Sequence, residues 1–375
     1  MNKFIVLLSK GDKTWNDIPQ EKQEKYVNNL RVPKDTIDRG WLQYKCQMFF
    51  TSPIKKVLLN IISACVFPFV LFCLLMKRKF FVRKINAVGD FQGFEEVLPQ
   101  ILCDRFEIEN KVWNEDGALK ISDLFFCIKL AMRYPFSPFF VSKCMLKISK
   151  YSSLITCYKP EAIIVHNEYS YTSSVLTAYC RIHGVKHLNV MHGEKLYYIR
   201  DSFFEYDECY VWDEHYKNLL MDMRADERQF IIALPPSIKF DTEQYKSEKD
   251  FADYKYYLTK FNEYQIESIV KSMQFIKSFG KKIKYRPHPR YSNIGLLKKY
   301  VNAEEIEMPG EVSIFSSISN TEYVIGSYST VLLQAFYAGR SVVCDDITYV
   351  QNYRKLKEYR WILANAKTIR LSELQ

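Results

Sequence analysis

The sequence is poor in the residues that break regular structure, and it lacks the patterns of several protein classes. Glycine and proline contribute only 12 and 13 of its 375 residues, and no low-complexity segment dominates. Collagen-like, mucin-like and disordered chains are thereby excluded. The ten cysteines are scattered singly, and neither a Cys-x-x-Cys pair, a Cys/His cluster at metal-ligand spacing nor an Asp-x-Asp pattern occurs. We therefore expect reduced thiols in a reducing compartment and no metal site.

Positive charge is concentrated around one apolar stretch. Lys and Arg number 53 against 43 Asp and Glu, a net charge of +10. The stretch from Val57 to Met76 is long enough, as a helix, to span roughly 30 Å. It is interrupted only by Asn60, Ser63 and Pro68. Seven cations and no acid flank it: Lys55, Lys56, Lys77, Arg78, Lys79, Arg83 and Lys84. Cations beside an apolar helix are typical of lipid headgroup contacts.

This apolar stretch predicts a membrane contact, with a buried core helix as the alternative. Pro68 is expected to kink the helix, and cations on both flanks give no orientation. The short apolar run Phe4–Leu8 is too short for a secretory signal and is expected to be a first strand. If it shares a sheet with the strand predicted at Lys84–Phe91, a single crossing would separate the two. We therefore expect residues 57–76 to contact the cytoplasmic leaflet without spanning it.

Beyond Lys84, short apolar runs alternate with amphipathic helices, as in parallel α/β proteins. The expected strands are 84–91, 161–168, 185–191, 208–212, 229–234, 254–258, 282–285, 323–325 and 341–344. The main expected helices are 141–158, 171–182, 263–279 and 331–338. Pro235-Pro236 and the polar stretch after it predict a linker. The predicted fold is α/β, with two Rossmann-like domains facing a cleft: residues 1–235, a linker at 236–252, and residues 253–375. The apolar helix is an insertion in the N-terminal domain.

Two polar segments follow strands of the second domain, where open parallel sheets bind their ligands. In Arg286-Pro287-His288-Pro289-Arg290, two prolines restrict the backbone while three side chains converge on phosphate; an exposed basic loop is the alternative. In Gly326-Ser327-Tyr328-Ser329-Thr330, hydroxyls and helix N–H groups suit an anion, and simple N-capping by Ser329 or Thr330 is the alternative.

A general base is expected from the first domain. Glu168 ends one strand and immediately precedes a helix, where capping is its alternative role. His192 and Glu194 follow the next strand, and Gly193 between them permits close approach of a ligand. We rank His192 slightly above Glu168, because imidazole exchanges protons near neutral pH. Asp90 is a third-rank candidate.

The segment YRPHPR, followed about 35 residues later by TEYVIGSYSTVLLQAFYAGRSVV, resembles the C-terminal half of bacterial polysaccharide transferases of the GT-B type. These include capsule and lipooligosaccharide sialyltransferases, Kdo transferases and CDP-glycerol polymerases. The resemblance implies that His288, Ser327, Ser329 and Thr330 hold the phosphate of a CMP- or CDP-activated donor, reinforced by Arg286 and Arg290. The sequence departs from these enzymes at Gln334, where many of them carry an acidic residue that binds the donor ribose.

The expected function is metal-independent transfer of a sugar from a nucleotide-activated donor to a bacterial surface polysaccharide or lipid-linked glycan. The protein would lie at the cytoplasmic face of the inner membrane, with no separate cofactor. Two alternatives stay open: a CDP-glycerol or CDP-ribitol phosphotransferase, and a non-catalytic membrane-peripheral binding protein. Nucleic-acid binding is disfavoured because the cations gather around an apolar segment.

Overall fold

The computed structural model describes residue 13 and residues 17–90, 94–110, 116–247, 251–366 and 368–375. The strand expected at Phe4–Leu8 lies outside them. The chain divides into two compact units: unit 1 comprises Met1–His192 and Tyr197–Leu234, and unit 2 comprises Gly193–Leu196 and Pro235–Gln375. The segment Gly193–Leu196, which we expected in the N-terminal domain, therefore groups with unit 2.

Unit 1 is built on a six-stranded parallel sheet with the strand order β2-β1-β3-β4-β5-β6. Its strands are β1 (Ala87–Gly89), β2 (Ile108–Glu109), β3 (Ala162–Val165), β4 (Lys186–Val190), β5 (Glu208–Val211) and β6 (Phe230–Ile232). All four residues of β3 are buried, as an unbroken apolar run predicts for a strand covered on both faces. The five strands expected here from residue 84 onward are all present, and β2 is an addition.

Helices cover this sheet. They are α1 (Gln20–Asn28), α2 (Thr36–Met48), α3 (Pro53–Met76), α4 (Phe94–Val97), α5 (Gln100–Arg105), α6 (Ile121–Arg133), α7 (Pro138–Tyr158), α8 (Ser173–Ile182) and α9 (Glu214–Asp222). Single 3₁₀ turns lie at Ile199–Asp201 and Glu227–Gln229. Helix α7 begins three residues before its predicted start, with Pro138 in its first turn, where a missing N–H costs nothing.

The apolar helix α3 is exposed. It runs continuously through Pro68, and only Leu59 and Leu74 are buried in it. It is long and apolar enough to cross a membrane, yet only 11% of its most apolar window is buried within the protein. The alternative of a buried core helix is therefore wrong. On its inner side α3 packs against α7.

Unit 2 carries a five-stranded parallel sheet with the order β11-β10-β9-β7-β8. Its strands are β7 (Ala252–Tyr257), β8 (Ile283–Arg286), β9 (Thr321–Gly326), β10 (Ser341–Cys344) and β11 (Ile369–Arg370). Its helices are α10 (Glu263–Lys277), α11 (Ile294–Tyr300), α12 (Ile314–Ser319), α13 (Thr330–Tyr337), α14 (Val350–Glu358) and α15 (Ile362–Asn365). Single 3₁₀ turns lie at Thr242–Tyr245, Ala303–Glu305 and Leu371–Glu373. The predicted α/β class with two Rossmann-like units is confirmed.

The core of unit 2 lies between the sheet and α10. Asn262 caps α10, and Asn262 and Gln265 exchange hydrogen bonds as a capping box, which satisfies two orphan donors of the first turn. The apolar face of α10 then packs on β7 and β8. Residues buried there include Tyr256, Ile266, Ile269, Met273, Ile276, Ile283, Tyr285 and Ile325. Burial of each such side chain contributes about 1.5–3 kcal/mol to the stability of the folded unit.

Candidate functional site

A cavity of about 400 Å³ lies at the carboxyl end of the unit 2 sheet. Both segments singled out in the sequence contribute to its lining. The first supplies Arg286 to Pro289 and the second supplies Ser329, with Tyr257, Leu258, Pro309, Gly310, Ile314 and Val331 completing the wall. A rigid proline-framed loop and a hydroxyl-bearing helix start therefore share one cavity.

Strand order explains why these segments meet. Strand β7 is paired with β8 on one side and with β9 on the other. After forming β8 on one side of β7, the chain returns and forms β9 on the other side of β7. The His288 loop follows β8 and the Ser329 turn follows β9, so both lie at the same edge of the sheet, one on each side of β7. The crevice at the carboxyl edge beside such a reversal is where doubly wound sheets bind ligands. Gly326 keeps the crevice narrow, because a Cβ there would sit 3.2 Å from the carbonyl oxygen of Tyr257.

His288 is held in a defined orientation in the loop after β8. Its backbone N–H donates to Ser292 Oγ at 2.8 Å, and that hydroxyl donates to the carbonyl oxygen of Thr259 at 2.8 Å. The backbone N–H of Arg290 donates to His288 Nδ1 at 3.1 Å. Because Nδ1 accepts, Nε2 carries the hydrogen of the neutral ring. Burial, and then the charge of Arg290, lower the pKa of His288. His288 is therefore a neutral hydrogen-bond donor at physiological pH.

The turn before α13 combines a cap with exposed hydroxyls. Ser329 Oγ accepts from the backbone N–H of Val331 at 3.2 Å, so the N-capping alternative is realised for Ser329. Its hydroxyl proton stays available to a ligand, since a cap uses only the oxygen. Thr330 is exposed and Ser327 is largely buried. The positive end of the α13 dipole lies behind this turn and favours an anion there.

Arg286 has a structural role that the sequence did not reveal. Its side chain is buried, and it donates to Glu307 Oε1 at 2.7 Å and to the carbonyl oxygen of Val312 at 2.8 Å. Glu307 also binds Lys255 Nζ through Oε2 at 2.6 Å and accepts a hydrogen bond from Ser317. We therefore correct the expectation for Arg286: its guanidinium is committed to Glu307, and it supports the cavity wall.

This buried triad of Lys255, Glu307 and Arg286 is nearly sealed from solvent. Burial lowers the pKa of Lys255 to about 8, although Glu307 opposes that effect. Burial also acts against ionisation of Glu307, but Lys255, Ser317 and Arg286 together hold its pKa below the ordinary value. A lysine at the centre of the run ADYKYY was the one sequence signal for this network, because an isolated cation in a buried strand requires a partner.

The remaining unit 2 candidates, Arg290, Gln334 and Glu194, are not among the residues that line this cavity. Arg290 is exposed at the loop surface. Gln334 Nε2 donates to the carbonyl oxygen of Ser237 at 2.8 Å, which fastens α13 to the segment after Pro235-Pro236. Glu194 accepts from Trp361 Nε1 at 2.9 Å. The Trp361 ring in turn contacts Tyr328 at 5.6 Å between centroids. Glu194 thus belongs to an aromatic cluster beside the Ser327–Thr330 turn of unit 2, and its expected place in the N-terminal domain is wrong.

In unit 1 the corresponding reversal point lies between β1 and β3, and it carries Asp90. Asn167 Nδ2 donates to Asp90 Oδ2 at 3.4 Å. Burial raises the pKa of Asp90 to about 6, against the opposing charges of Lys147 and Lys150 and the hydrogen bond from Asn167. A carboxylate that titrates near neutral pH at a ligand-binding edge has the properties of a general base. The structure therefore moves Asp90 ahead of its third rank.

The two other candidate bases of unit 1 differ in exposure. Glu168 is 2% exposed, with its Oε2 accepting from Asn189 Nδ2 at 3.3 Å and its carbonyl oxygen accepting from Gln43 Nε2 at 2.7 Å. Such burial gives no access to an acceptor hydroxyl, so Glu168 is better explained as a structural residue. His192 is exposed, and its ring lies 5.2 Å from that of His166. His192 therefore stays a candidate.

Neither a disulfide nor a metal-ligating cluster is present among the described residues. All ten cysteines are free, and seven of them are buried. Within the described ranges, no three His, Cys, Asp or Glu side chains lie close enough together to hold a metal ion. Metal independence of the reaction stays a prediction.

No known protein family and no curated protein matches this sequence. Among solved structures, the chain is similar to UDP-GlcNAc 2-epimerase of Methanocaldococcus jannaschii in complex with UDP-GlcNAc and UDP, at 15% identity over 70% of this chain and 83% of that chain, with a TM-score of 0.36. It is also similar to the lipopolysaccharide outer core galactosyltransferase WaaB, at 12% identity over 70% and 80%, with a TM-score of 0.40. A third similar structure is the glycotransferase of kitacinnamycin, at 8% identity over 79% and 87%, with a TM-score of 0.43. Since likeness at this level does not define an activity, we argue the function from the residues of this chain.

Proposed function

We propose that this protein is a glycosyltransferase that moves a sugar from a nucleotide-activated donor to a bacterial surface glycan or lipid-linked acceptor. The observation that carries the proposal is the meeting of His288 and Ser329 at one cavity of the unit 2 sheet. Both are polar donors at the carboxyl edge of a doubly wound sheet, where phosphate-bearing ligands bind. Following the sequence resemblance, a CMP- or CDP-type donor is the first choice.

In the proposed reaction, unit 2 stabilises the leaving group. The bond between the anomeric carbon of the donor sugar and the phosphate oxygen breaks, and its electron pair passes to the nucleotide phosphate. His288 Nε2–H and the Ser329 hydroxyl donate to the phosphate oxygens as that charge develops, with the positive end of the α13 dipole behind them. Oriented donors of this kind are each worth about a hundredfold to a thousandfold in rate.

Unit 1 supplies the base in this scheme. The acceptor hydroxyl gives its proton to a base as its oxygen bonds to the anomeric carbon, and Asp90 is our first candidate for that base, followed by His192. The pKa of Asp90, raised to about 6 by burial, leaves the group ionised at neutral pH yet more basic than an ordinary carboxylate. A positioned base contributes typically a hundredfold to ten-thousandfold.

The donor site is tested by a pair of substitutions at His288. In Gln the amide nitrogen reaches about as far as Nε2, whereas in Asn it reaches only as far as Nδ1. We expect CMP, CDP, UDP or GDP, added separately, to raise the melting temperature of the wild-type protein. His288→Gln should keep most of that shift and His288→Asn should lose it, with turnover at least about tenfold lower in His288→Ala.

Three results would speak against this assignment. Equal nucleotide binding by His288→Asn and the wild type would remove His288 from the site. Release of CMP together with transfer of a polyol phosphate would replace sugar transfer by the phosphotransferase reaction. Absence of stabilisation by every nucleotide would favour the non-catalytic binding protein.

We further propose that the protein lies at the cytoplasmic face of the bacterial inner membrane without crossing it. Helix α2 precedes α3, and β1 follows it, yet both belong to unit 1. Gln43 on α2 donates to the carbonyl oxygens of Glu168 and Arg200 at 2.7 and 2.9 Å. A single crossing by α3 would separate these packed elements, so a contact along the membrane surface suits the fold.

A second exposed apolar stripe, which sequence reasoning missed, supports this membrane contact. On α6 the exposed side chains follow a 4, 3, 4 spacing that places them on one helical face; they are Ile121, Phe125, Ile128 and Met132. The start of α6 is tied to the end of α3 by the N–H of Leu119, which donates to the carbonyl oxygen of Leu74 at 3.1 Å.

Charge introduced on α3 tests the membrane contact. Phe69 and Phe72 are 70% and 61% exposed. Each contributes about 1.5–3 kcal/mol when transferred from water, so Phe69→Glu/Phe72→Glu should weaken binding to anionic vesicles at least about a hundredfold. The matched control, Tyr264→Glu/Phe279→Glu, changes similarly exposed residues of unit 2 and should bind like the wild type. Equal binding by both variants would remove α3 from the membrane contact.

A further inference from the structure

Unit 1 contains a cavity of about 530 Å³ that the proposed reaction does not use. The end of α3 and the segment after it form one wall, the residues that lead into α6 form a second, and α7 forms a third. The charged and exposed apolar residues that line it are Lys77, Arg78, Lys79, Phe80, Lys120 and Ile121. The lining thus combines cations with apolar surface beside the helix that we expect at the membrane.

Hydrogen bonds hold the three walls of this cavity together. The backbone N–H of Leu119, before α6, donates to the carbonyl oxygen of Leu74 on α3 at 3.1 Å. The neighbouring N–H of Ala118 donates to Ser153 Oγ on α7 at 2.8 Å. The cavity is therefore formed before a ligand arrives, and a preformed site loses less conformational entropy on binding.

Arg78 and Lys120 bring two positive charges to the cavity from different walls. Both side chains are exposed, and neither forms a salt bridge within the part of the chain that the structure describes. Lys77 also lines the cavity, but it lies 3.5 Å from Asp116 in an exposed pair. One phosphodiester carries a single negative charge, and a guanidinium can hold two of its oxygens at once. Arg78 and Lys120 therefore suffice to bind one phosphate.

The acidic residue in the first turn of α6 is committed to internal donors. Asp123 is 2% exposed. Its carboxylate accepts from the backbone N–H of Lys120 at 2.9 Å, from Ser152 Oγ at 2.6 Å and from Tyr179 Oη at 2.9 Å. Within the described ranges no acidic side chain lines the cavity. The electrostatic balance of the cavity therefore favours an anion.

Two residues that line the cavity are exposed apolar side chains. Phe80 and Ile121 are 73% and 84% exposed. Ile121 begins the apolar stripe on α6, and Met76 at the end of α3 is 67% exposed. A small soluble anion would gain nothing from these residues, whereas a lipid would place its acyl chains along them. The ligand that fits this cavity is therefore both anionic and apolar.

We propose that this cavity binds the phosphate of an anionic phospholipid, with Arg78 and Lys120 at the phosphate and the acyl chains along the exposed residues of α3 and α6. This headgroup site rests on the proposed function, since it presupposes the membrane contact of α3. It adds selection among lipids, because a phosphate that the lipid's own cation already neutralises gains less from the two side chains. A phosphate bound here would hold the end of α3 at the level of the headgroups, as a helix lying along the surface requires.

Three soluble probes test selection by headgroup. Phosphatidylglycerol with six-carbon chains carries the anion and the chains, phosphatidylcholine with the same chains carries a neutralised phosphate, and glycerol phosphate carries the anion alone. Below the concentration at which the lipids form micelles, no surface charge contributes. Binding to the full-length protein is measured by calorimetry. We expect phosphatidylglycerol to bind at least about tenfold more tightly than either of the others, because charge-assisted contacts and apolar burial each add to affinity.

Substitutions of the two cations locate the binding. Arg78→Gln/Lys120→Gln should lower the affinity for the phosphatidylglycerol probe at least about tenfold. The control Arg83→Gln/Lys84→Gln removes one arginine and one lysine from exposed positions further along the segment after α3, and it should change that affinity less than about twofold. All four side chains are exposed, so both double variants should fold.

Three results would overturn the headgroup site. Equal affinity of glycerol phosphate and phosphatidylglycerol would show a site for free phosphate. Equal affinity of the two lipids would show that only the chains bind. An equal loss of affinity in the two double variants would show an effect of overall charge, with no contribution from the cavity.

Vesicle binding by Phe69→Glu/Phe72→Glu separates the headgroup site from the membrane contact of α3. If that variant loses vesicle binding while the probes show no preference among headgroups, the headgroup site falls and the membrane contact stands. If it binds vesicles like the wild type while the phosphatidylglycerol affinity depends on Arg78 and Lys120, the membrane contact of α3 falls and the headgroup site stands.

Discussion

The two units share a strand pattern but treat buried charge differently. In unit 1 the strands run β2-β1-β3-β4-β5-β6, and in unit 2 the equivalent order is β8-β7-β9-β10-β11. Each therefore reverses direction beside its first strand, which creates a crevice at the carboxyl edge. Polar side chains collect at that crevice in both units: Asp90 and Asn167 in unit 1, and His288 and Ser329 in unit 2.

The difference lies in how the cations are compensated. In unit 2, Lys255 and Arg286 are both bound to the buried carboxylate of Glu307, and two other donor side chains of the cavity, His288 and Ser329, are neutral. In unit 1, the lysines of α7 have no acid on their own helix and remain partly open to solvent. Cations bound to a buried carboxylate support structure, whereas cations that stay partly open to solvent can be reached by a ligand.

Substitution of Glu307, which removes the internal counter-charge of unit 2, should have the largest effect on stability. Glu307→Gln leaves Lys255 and Arg286 buried without a counter-charge, and we expect the free energy of unfolding to fall by about 3–5 kcal/mol. Denaturant unfolding measures the loss. The control Glu311→Gln makes the same change at an exposed position and should cost less than about 0.5 kcal/mol. A similarly small effect at both positions would mean that the triad is not needed for stability.

Asp90→Asn should separate catalysis from stability in unit 1. We expect turnover to fall by about a hundredfold to ten-thousandfold, with nucleotide stabilisation of unit 2 unchanged. Asp104→Asn, on an exposed side chain of α5, is the control and should keep full turnover. Normal turnover in Asp90→Asn would transfer the role of base to His192.

The stability of Asp90→Asn relative to the wild type should depend on pH. Since the folded-state pKa of Asp90 is raised from 3.8 to about 6, the native state holds its proton more tightly than the unfolded chain. The stability contributed by Asp90 is therefore present below pH 3.8 and lost as the pH rises through about 6. Relative to the wild type, Asp90→Asn should gain stability between these pH values. An unchanged difference in melting temperature across that range would contradict the raised pKa.

Ser329→Ala gives the smallest effect and sharpens the comparison within unit 2. Loss of the cap on α13 should lower the free energy of unfolding by about 1 kcal/mol. Ser313→Ala removes the cap of α12, which accepts from the N–H of Ser316, and should cost about as much. Only Ser329→Ala should also weaken nucleotide binding. Equal nucleotide affinity in the two variants would leave Ser329 with its capping role alone.

Sequence periodicity predicted most elements of both sheets, because apolar strands and amphipathic helices are local patterns. The β10 strand was predicted with its observed limits, Ser341–Cys344. The positions of the His288 loop and the Ser329 turn at strand ends also follow from local patterns, since both come directly after strands. That the two segments share a cavity depends on the order of the strands in the sheet. The triad of Lys255, Glu307 and Arg286 did not follow, because its members lie on separate elements and their pairing depends on burial.

The revisions to the candidate site residues have the same origin. Glu168 and Arg286 have the residue types of functional groups, and only their burial shows that they serve structure. Asp90 was ranked low because nothing local distinguishes it, and its raised pKa arises from packing around the end of β1. The stripe on α6 was missed because a helical face is recognisable as unpartnered only when the rest of the fold is present.

The sequence alone determined the alternation of strands and helices, the apolar character of residues 57–76, and the two polar segments at strand ends of unit 2. These depend on the order of side chains along a few turns or strand residues. Tertiary structure decided which charges are neutralised, which apolar faces stay exposed, and which polar groups share a cavity. Burial and charge compensation are set by residues distant in the chain, so no local pattern contains them.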